Sequence, residues 1–162
     1  MKRIAIFAHY DKNSKIEDYV VYYLKELKKY VDKIIFVSDS YLEKHELEKI
    51  HPYIDYCKAE KHGEYDFGSY KKGIFYAKEN LLFDNCEELV LANDSCYAPL
   101  FSFEEMFNKM SSKKLDFWGC VANRTPLKCN IEHIQSYFIV FKKNVFNSDC
   151  FINFFQNVTS EN

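Results

Sequence analysis

Short apolar runs that end abruptly in polar residues, with stretches of helical period between them, constrain this chain more than any other feature. Residues 3–8, Arg-Ile-Ala-Ile-Phe-Ala, are almost continuously apolar and give way to His9-Tyr10-Asp11-Lys12-Asn13. Such a run, without alternation, marks a strand covered on both faces. Apolar residues then recur at three- and four-residue spacing (Ile16, Tyr19, Val20, Tyr23, Leu24, Leu27, Val31), which predicts an amphipathic helix. Ser14 and Glu17 have the spacing of a capping box at its start. A second run, 33–38, ends in Asp39-Ser40, and a helical segment over 41–50 stops ahead of Pro52. Residues 54–57 read as a weak third strand and 60–64 as a loop. Strand, helix, strand, helix, strand predicts a parallel sheet with right-handed crossovers.

The pattern continues. A polar, glycine-containing stretch, Asp66-Phe-Gly-Ser-Tyr-Lys-Lys-Gly73, opens a helix expected from Tyr70 to Leu81. The most apolar strand of the second half, 88–93, runs straight into Asp94. A helix is expected from Ser102, with Glu105 in capping-box spacing, then a strand at 115–121. A turn-rich loop at 123–130, a strand at 133–141 and a short aromatic helix at 145–155 complete the reading. At 162 residues the chain is expected to form one domain. The predicted fold is α/β, with a mostly parallel central sheet of about six strands and helices on both faces.

Composition narrows the function. Twenty-two basic and 24 acidic residues leave a net charge of −2, which argues against nucleic acid as a partner. No apolar stretch approaches the roughly 18 residues of a membrane span, and the apolar run at the N-terminus is too short for a signal peptide. The six cysteines, at 57, 86, 96, 120, 129 and 150, form no Cys-x-x-Cys pair. They are expected to be reduced thiols in a cytoplasmic protein, and the sequon at Asn157 is then a chance match. The 13 tyrosines and 15 phenylalanines read first as core, while exposed tyrosines could stack on a base or sugar ring.

Several polar groups are candidates for chemistry. Gly68 and Gly73 have a P-loop-like spacing, but Ile74 and Phe75 stand where Lys-Ser/Thr is required, so a Walker ATPase is rejected. Asp66-Phe67-Gly68 spells a kinase tripeptide without the accompanying His-Arg-Asp loop. A helix start at this stretch could still bind an anion, helped by Lys71 or Lys72; the plainer role is that Gly68 caps a turn and Gly73 permits close packing. Asn93-Asp94-Ser95 belongs at the sheet's carboxyl edge, where ligands sit in open α/β sheets. Asp94 could hold a divalent cation bridging a diphosphate, or the triplet could form an Asx turn or helix cap. Asp39 could accept from a pyrimidine N3–H or cap the next helix. His133 at a strand start is more often structural than catalytic, with Gln135 and Ser136 adding polar groups beside it.

Taken together, Phe7-Ala-His-Tyr-Asp11, Ile16-Glu-Asp-Tyr-Val20, Tyr65-Asp-Phe-Gly-Ser-Tyr-Lys71, Leu91-Ala-Asn-Asp-Ser-Cys-Tyr97, Phe101-Ser-Phe-Glu-Glu105, Asp116-Phe-Trp-Gly119 and His133-Ile-Gln-Ser-Tyr-Phe138 resemble the rhamnan synthesis protein F family. The resemblance spans nearly the whole chain in the same order. It implies a GT-A-type glycosyltransferase that moves a sugar, rhamnose from dTDP-rhamnose or a similar donor, to a cell-surface polysaccharide or lipid-linked glycan. It puts His9, Tyr10, Asp11 and Asp39 near the base and ribose, and Asp66, Gly68 and Lys71 against the nucleotide or diphosphate. Asn93, Asp94 and Ser95 fall where the Asp-x-Asp metal motif would lie, making Asp94 the ligand of Mn²⁺ or Mg²⁺. Gln135 and Ser136 add substrate contacts, and Glu132 and His133 are candidate bases. Residues 1–110 would then be the nucleotide-sugar half and 111–162 a short acceptor-side half, the whole acting in the cytoplasm or at the inner face of the membrane. Asn and Ser replace the outer aspartates, and the chain stops soon after the sixth expected strand. These departures motivate the alternative of a non-catalytic nucleotide-sugar-binding module or subunit of a larger synthase. Strand–helix alternation alone would also fit a flavodoxin-like signalling or nucleotide-binding domain.

Overall fold

The structure, a computed structural model, describes residues 2–123 and 132–160. Six strands form one sheet in the order β3-β2-β1-β4-β8-β5. They are β1 (Arg3–His9), β2 (Lys33–Ser38), β3 (Tyr56–Ala59), β4 (Glu88–Asn93), β5 (Phe117–Gly119) and β8 (Phe138–Lys142). β1 pairs in parallel with β2 and β4, and β2 with β3. β8 alone runs the other way, antiparallel to both β4 and β5. A separate two-stranded ribbon joins β6 (Ala122–Asn123) to β7 (His133–Ile134).

The α/β architecture with helices on both faces follows from how β1 divides its side chains. Ala5 and Phe7 enter one apolar cluster with Val20, Tyr23, Leu24 and Leu27 of α1 (Asp18–Leu27) and Phe103 and Phe107 of α4 (Phe103–Ser111). Ile4, Ile6 and Ala8 enter the other, with Tyr70, Ile74 and Ala77 of α3 (Tyr65–Glu79) and Phe151 and Phe155 of α6 (Asp149–Gln156). Each fully buried aliphatic or aromatic side chain contributes on the order of 1.5–3 kcal/mol, so both layers are required. Two shorter helices, α2 (Lys44–Ile50) and α5 (Lys143–Phe146), complete the set.

Several expectations shift. α3 begins at Tyr65, five residues before the expected start, so Asp66, Gly68 and Lys71 lie in its first turns rather than in a loop. Gly68 lies inside the helix rather than capping a turn, and a Cβ there would overlap that of Glu64. Gly73 fills the close-packing role, because a Cβ would overlap Cγ2 of Ile6 and stand 3.2 Å from its Cγ1. The capping box at Ser14 does not form. Ser14 takes φ +57° in a turn whose Asn13 and Lys15 N–H groups donate to Asp11 Oδ1, and the Ile16 N–H goes to buried Glu46. Ser102 does cap α4, but through the Glu104 N–H. The strand expected at 54–57 becomes Tyr56–Ala59, and that at 115–121 shortens to Phe117–Gly119. The strand expected over 133–141 divides into β7 and β8, which belong to different sheets. The loop at 123–130 lies, beyond Asn123, outside the described residues.

Candidate functional site

The carboxyl ends of β1, β2, β3 and β4, with the start of α3, surround a cleft of about 580 Å³. Tyr10, Tyr19, Asp39, Lys61, Gly63, Tyr65, Asp66, Asp94 and Ser95 line it. Strand register brings these distant residues together: Ala8 lies opposite Asn93 and His9 opposite Ser38. The residues just past each strand end therefore meet at one rim.

Asp94 is held through both its side chain and its backbone. Its Oδ2 accepts the Tyr10 N–H at 3.1 Å, and its backbone carbonyl accepts the Tyr19 hydroxyl at 3.2 Å. Burial pushes its carboxyl up to about 7; the Tyr10 N–H opposes that shift, and the charge of Asp66 adds to it. Asp66 is raised by burial as well, opposed by a 2.6 Å hydrogen bond from the Asn93 amide. The Asn93 side-chain Oδ1 accepts the Ser95 N–H at 3.1 Å. Asn93 thus couples α3 to the turn that carries Asp94.

Asp39 organises the opposite wall. Its Oδ1 accepts the N–H groups of His62 (2.6 Å) and Gly63 (2.8 Å), and Gly63 takes φ +71°. His62 is itself locked. Its Nδ1 accepts the Glu64 N–H at 3.1 Å, which leaves the proton on Nε2, 3.0 Å from Ser69 Oγ. Burial holds the His62 ring below the ordinary imidazole range.

Of the residues singled out in the sequence, Tyr10, Asp39, Asp66, Asp94 and Ser95 meet in the cleft. Asn93 stands behind them as a brace. His9 is buried beneath the floor, with Nδ1 2.8 Å from Ser38 Oγ and Nε2 3.8 Å from Asp94. Burial lowers its ring to about 4, so it is a neutral strut rather than a lining residue. Asp11 holds its own turn, and the Ser40 hydroxyl accepts its backbone N–H and donates to its carbonyl. Gly68 is buried within α3. Lys71 points its amine at the Val158 carbonyl (2.7 Å), pinning the chain after α6 to α3. The Ser136 carbonyl accepts the Tyr70 hydroxyl at 2.9 Å, and the Gln135 N–H donates to Val121. His133 pairs with Asn123 in the small ribbon, directly after Glu132. None of Glu132, His133, Gln135 and Ser136 lines this cleft.

Sequence reasoning missed Tyr19, Lys61, Gly63 and Tyr65. Lys61 and Gly63 follow β3, so the rule that directs attention to strand ends applies to them too, but the weak apolar signal at 54–57 hid that end. A sequence model of the family described as rhamnan synthesis protein F matches residues 34–162, which include Asp39, Lys61, Asp66 and Asp94. The chain belongs to the rhamnan synthesis protein F family. A similar family-sized stretch occurs in the uncharacterized protein y4gN of Sinorhizobium fredii, 22% identical over 129 residues, covering 80% of this chain and 33% of that protein. The chain thus spans about a third of that relative's length. Among solved structures, a 4-diphosphocytidyl-2C-methyl-D-erythritol synthase superposes over 98% of this chain and 80% of its own, with TM-score 0.59 and 11% identity. That likeness bears out the α/β fold with its six-stranded, mostly parallel sheet. Core-mannan synthase A from Aspergillus fumigatus, in an Mn/GDP form, aligns with 94% of this chain and 63% of its own at TM-score 0.47 and 9% identity. Among the described residues no helix is long and apolar enough to cross a membrane.

Proposed function

We propose that this rhamnan synthesis protein F family member is a GT-A-like glycosyltransferase that transfers a sugar, rhamnose being the family's namesake, from a nucleotide-sugar donor to a glycan or lipid-linked acceptor. One observation carries the reading: Tyr10, Asp39, Asp66 and Asp94, contributed by three strand ends and a helix start, converge on one cleft of about 580 Å³. That volume lies within the roughly 300–1,000 Å³ range of small-ligand sites. The tyrosines offer faces for a base or sugar ring. Asp39, already oriented by two backbone donors, keeps its second oxygen for a nucleobase or ribose donor.

The donor set suits a divalent cation of the type that uses one or two carboxylates and takes its other ligands from substrate phosphates. Asp94 would hold Mn²⁺ or Mg²⁺, with Asp66 beside it, and the crowding of two half-buried carboxyls is what a cation would relieve. Bound there, the metal would neutralise charge on the departing nucleoside diphosphate. The chain's own part is to hold the donor: Asn93 keeps Asp66 aimed at the cleft, and the Tyr10 N–H and Tyr19 hydroxyl fix Asp94 from both sides. Glu132 and His133 remain the proposed bases, on the segment that leads into β8. The proposed setting is the cytoplasm, with peripheral attachment to membrane-bound synthetic machinery. A second reading, a donor-binding module or subunit of a larger synthase, is favoured by the position of Glu132 and His133 outside the cleft lining.

The test is thermal stabilisation by dTDP, UDP and GDP, with and without Mn²⁺ or Mg²⁺, on wild type and Asp94→Ala. Stabilisation that the metal enhances only in wild type supports the assignment. Absence of stabilisation by every nucleotide sinks both readings, and binding without transfer across an acceptor panel selects the module.

A further inference from the structure

The cleft presents three carboxylates, Asp39, Asp66 and Asp94, to a ligand that carries a diphosphate. Like charges at such separations repel unless a cation intervenes. Among the described residues that line it, Lys61 is the one cationic side chain. The neighbouring lysines are engaged elsewhere: Lys71 on the Val158 carbonyl, Lys72 on Glu64 at 3.2 Å and Lys58 on Glu60 at 3.1 Å. We infer that Lys61 is the phosphate anchor of this cleft, and that Asp39 and His62 are its positioning residues. This assignment rests on the donor-binding reading above and names the group that meets the donor's charge.

The backbone around Lys61 is fixed for that task. On one side the Glu60 N–H donates to the Ser38 carbonyl at 3.1 Å. On the other, Asp39 Oδ1 receives two consecutive N–H groups, from His62 and Gly63. The His62 ring, its side chain only 5% exposed, clamps Glu64 and Ser69. A residue between two such anchors has little backbone freedom, so its side chain always starts from the same point on the rim. The exposed amine keeps its three donors for a ligand and, being a compact charge, tolerates several phosphate orientations. Asp39 therefore acts at a distance from the phosphate: its carboxylate orders the loop that carries the cation.

Calorimetric titration with inorganic pyrophosphate, thymidine, dTDP, UDP and GDP, at two salt concentrations, tests this. Lys61→Met is expected to weaken pyrophosphate and nucleoside diphosphates about tenfold or more, the usual scale for a lost charged hydrogen bond. It should flatten the salt dependence and leave thymidine unaffected. Lys61→Arg should retain most of the affinity, and Lys58→Met all of it. Asp39→Ala should weaken pyrophosphate binding while Lys61 is still present, the signature of a positioning role. Lys61 is exposed, so thermal melts of its variants should match wild type. Unchanged affinity in Lys61→Met, or an equal loss in Lys71→Met, overturns the assignment. Lys61-dependent pyrophosphate binding with no nucleotide preference upholds the anchor and removes the nucleotide-sugar reading. A wild type that binds neither probe overturns both.

Discussion

Gly73 sets how closely α3 approaches the sheet, and replacing it with alanine tests that contact quantitatively. In an exposed helix interior the change would stabilise by about 1 kcal/mol, the propensity gap between the two residues. Here the added methyl overlaps Cγ2 of Ile6 and sits 3.2–3.3 Å from its Cγ1 and Cδ1. Ile6 cannot retreat, since it is fully buried and its strand pairs on both sides, opposite Ile35 and Leu91. Overpacking of this kind costs about 1–3 kcal/mol, so Gly73→Ala should be destabilising by roughly 1 kcal/mol net. With a urea m-value of ~2 kcal/mol/M, the midpoint falls by about 0.5 M. In an Ile6→Ala background the obstruction is gone, and Gly73→Ala should stabilise by about 1 kcal/mol. The coupling between the two positions is then about 2 kcal/mol, well beyond the additivity expected of independent sites. Displacement of α3 by the added methyl should lengthen the Asn93–Asp66 bond and, if the proposed donor site is correct, weaken nucleotide binding. Equal effects of Gly73→Ala in both backgrounds would refute the reasoning.

Three further outcomes follow from contacts elsewhere. Gly119→Ala should destabilise by about 2–3 kcal/mol in urea melts, because its methyl would overlap Ile134 and stand 2.9 Å from the Phe138 carbonyl oxygen; trimming Ile134 to alanine should not restore stability. Tyr70→Phe removes the buried hydroxyl that holds Ser136 and should cost about 1 kcal/mol by the same assay, with the fold intact by circular dichroism. His62 is held below its unfolded value near 6.5; the unfolded chain then binds the extra proton, so stability is full above that pH and falls as the solution is acidified through it. Acidification from pH 7.5 to 5.5 should lower Tm less in His62→Gln than in wild type, the Asp94 carboxyl acting in the opposite sense in both, and an identical change in the two would exclude a His62 contribution.

The strands that the sequence declared most plainly, 3–8, 33–38 and 88–93, match β1, β2 and β4 within a residue. Burial on both faces keeps the interiors of these strands apolar and confines polar residues to their ends, so local composition suffices. The rim residues Tyr10, Asp39 and Asp94 were legible for a related reason: a polar residue directly after such a strand must lie at its carboxyl end. What stayed hidden depends on partners far along the chain. Ser14 loses its capping role because Asp11 and Glu46 take the nearby amides, and Glu46 is thirty residues from Ile16. Lys71 turns from the cleft because Val158, 87 residues later, offers a carbonyl. Strand direction is equally non-local, since nothing within Phe138–Lys142 says that it runs against β4.

That reversal has a consequence for how the molecule can change over evolutionary time. Because β8 enters the sheet from the opposite end, its beginning reaches the edge where the parallel strands finish; the Asn93 N–H meets the Tyr137 carbonyl there at 3.3 Å. The turns after β1, β2, β3 and β4 and the approach to β8 form a single margin, fed from five separate stretches of sequence. Insertions or exchanges in any of them reshape that margin while the apolar layers keep their composition. The arrangement lets each stretch of the rim change independently of the frame beneath it, as movable jaws on a fixed vice.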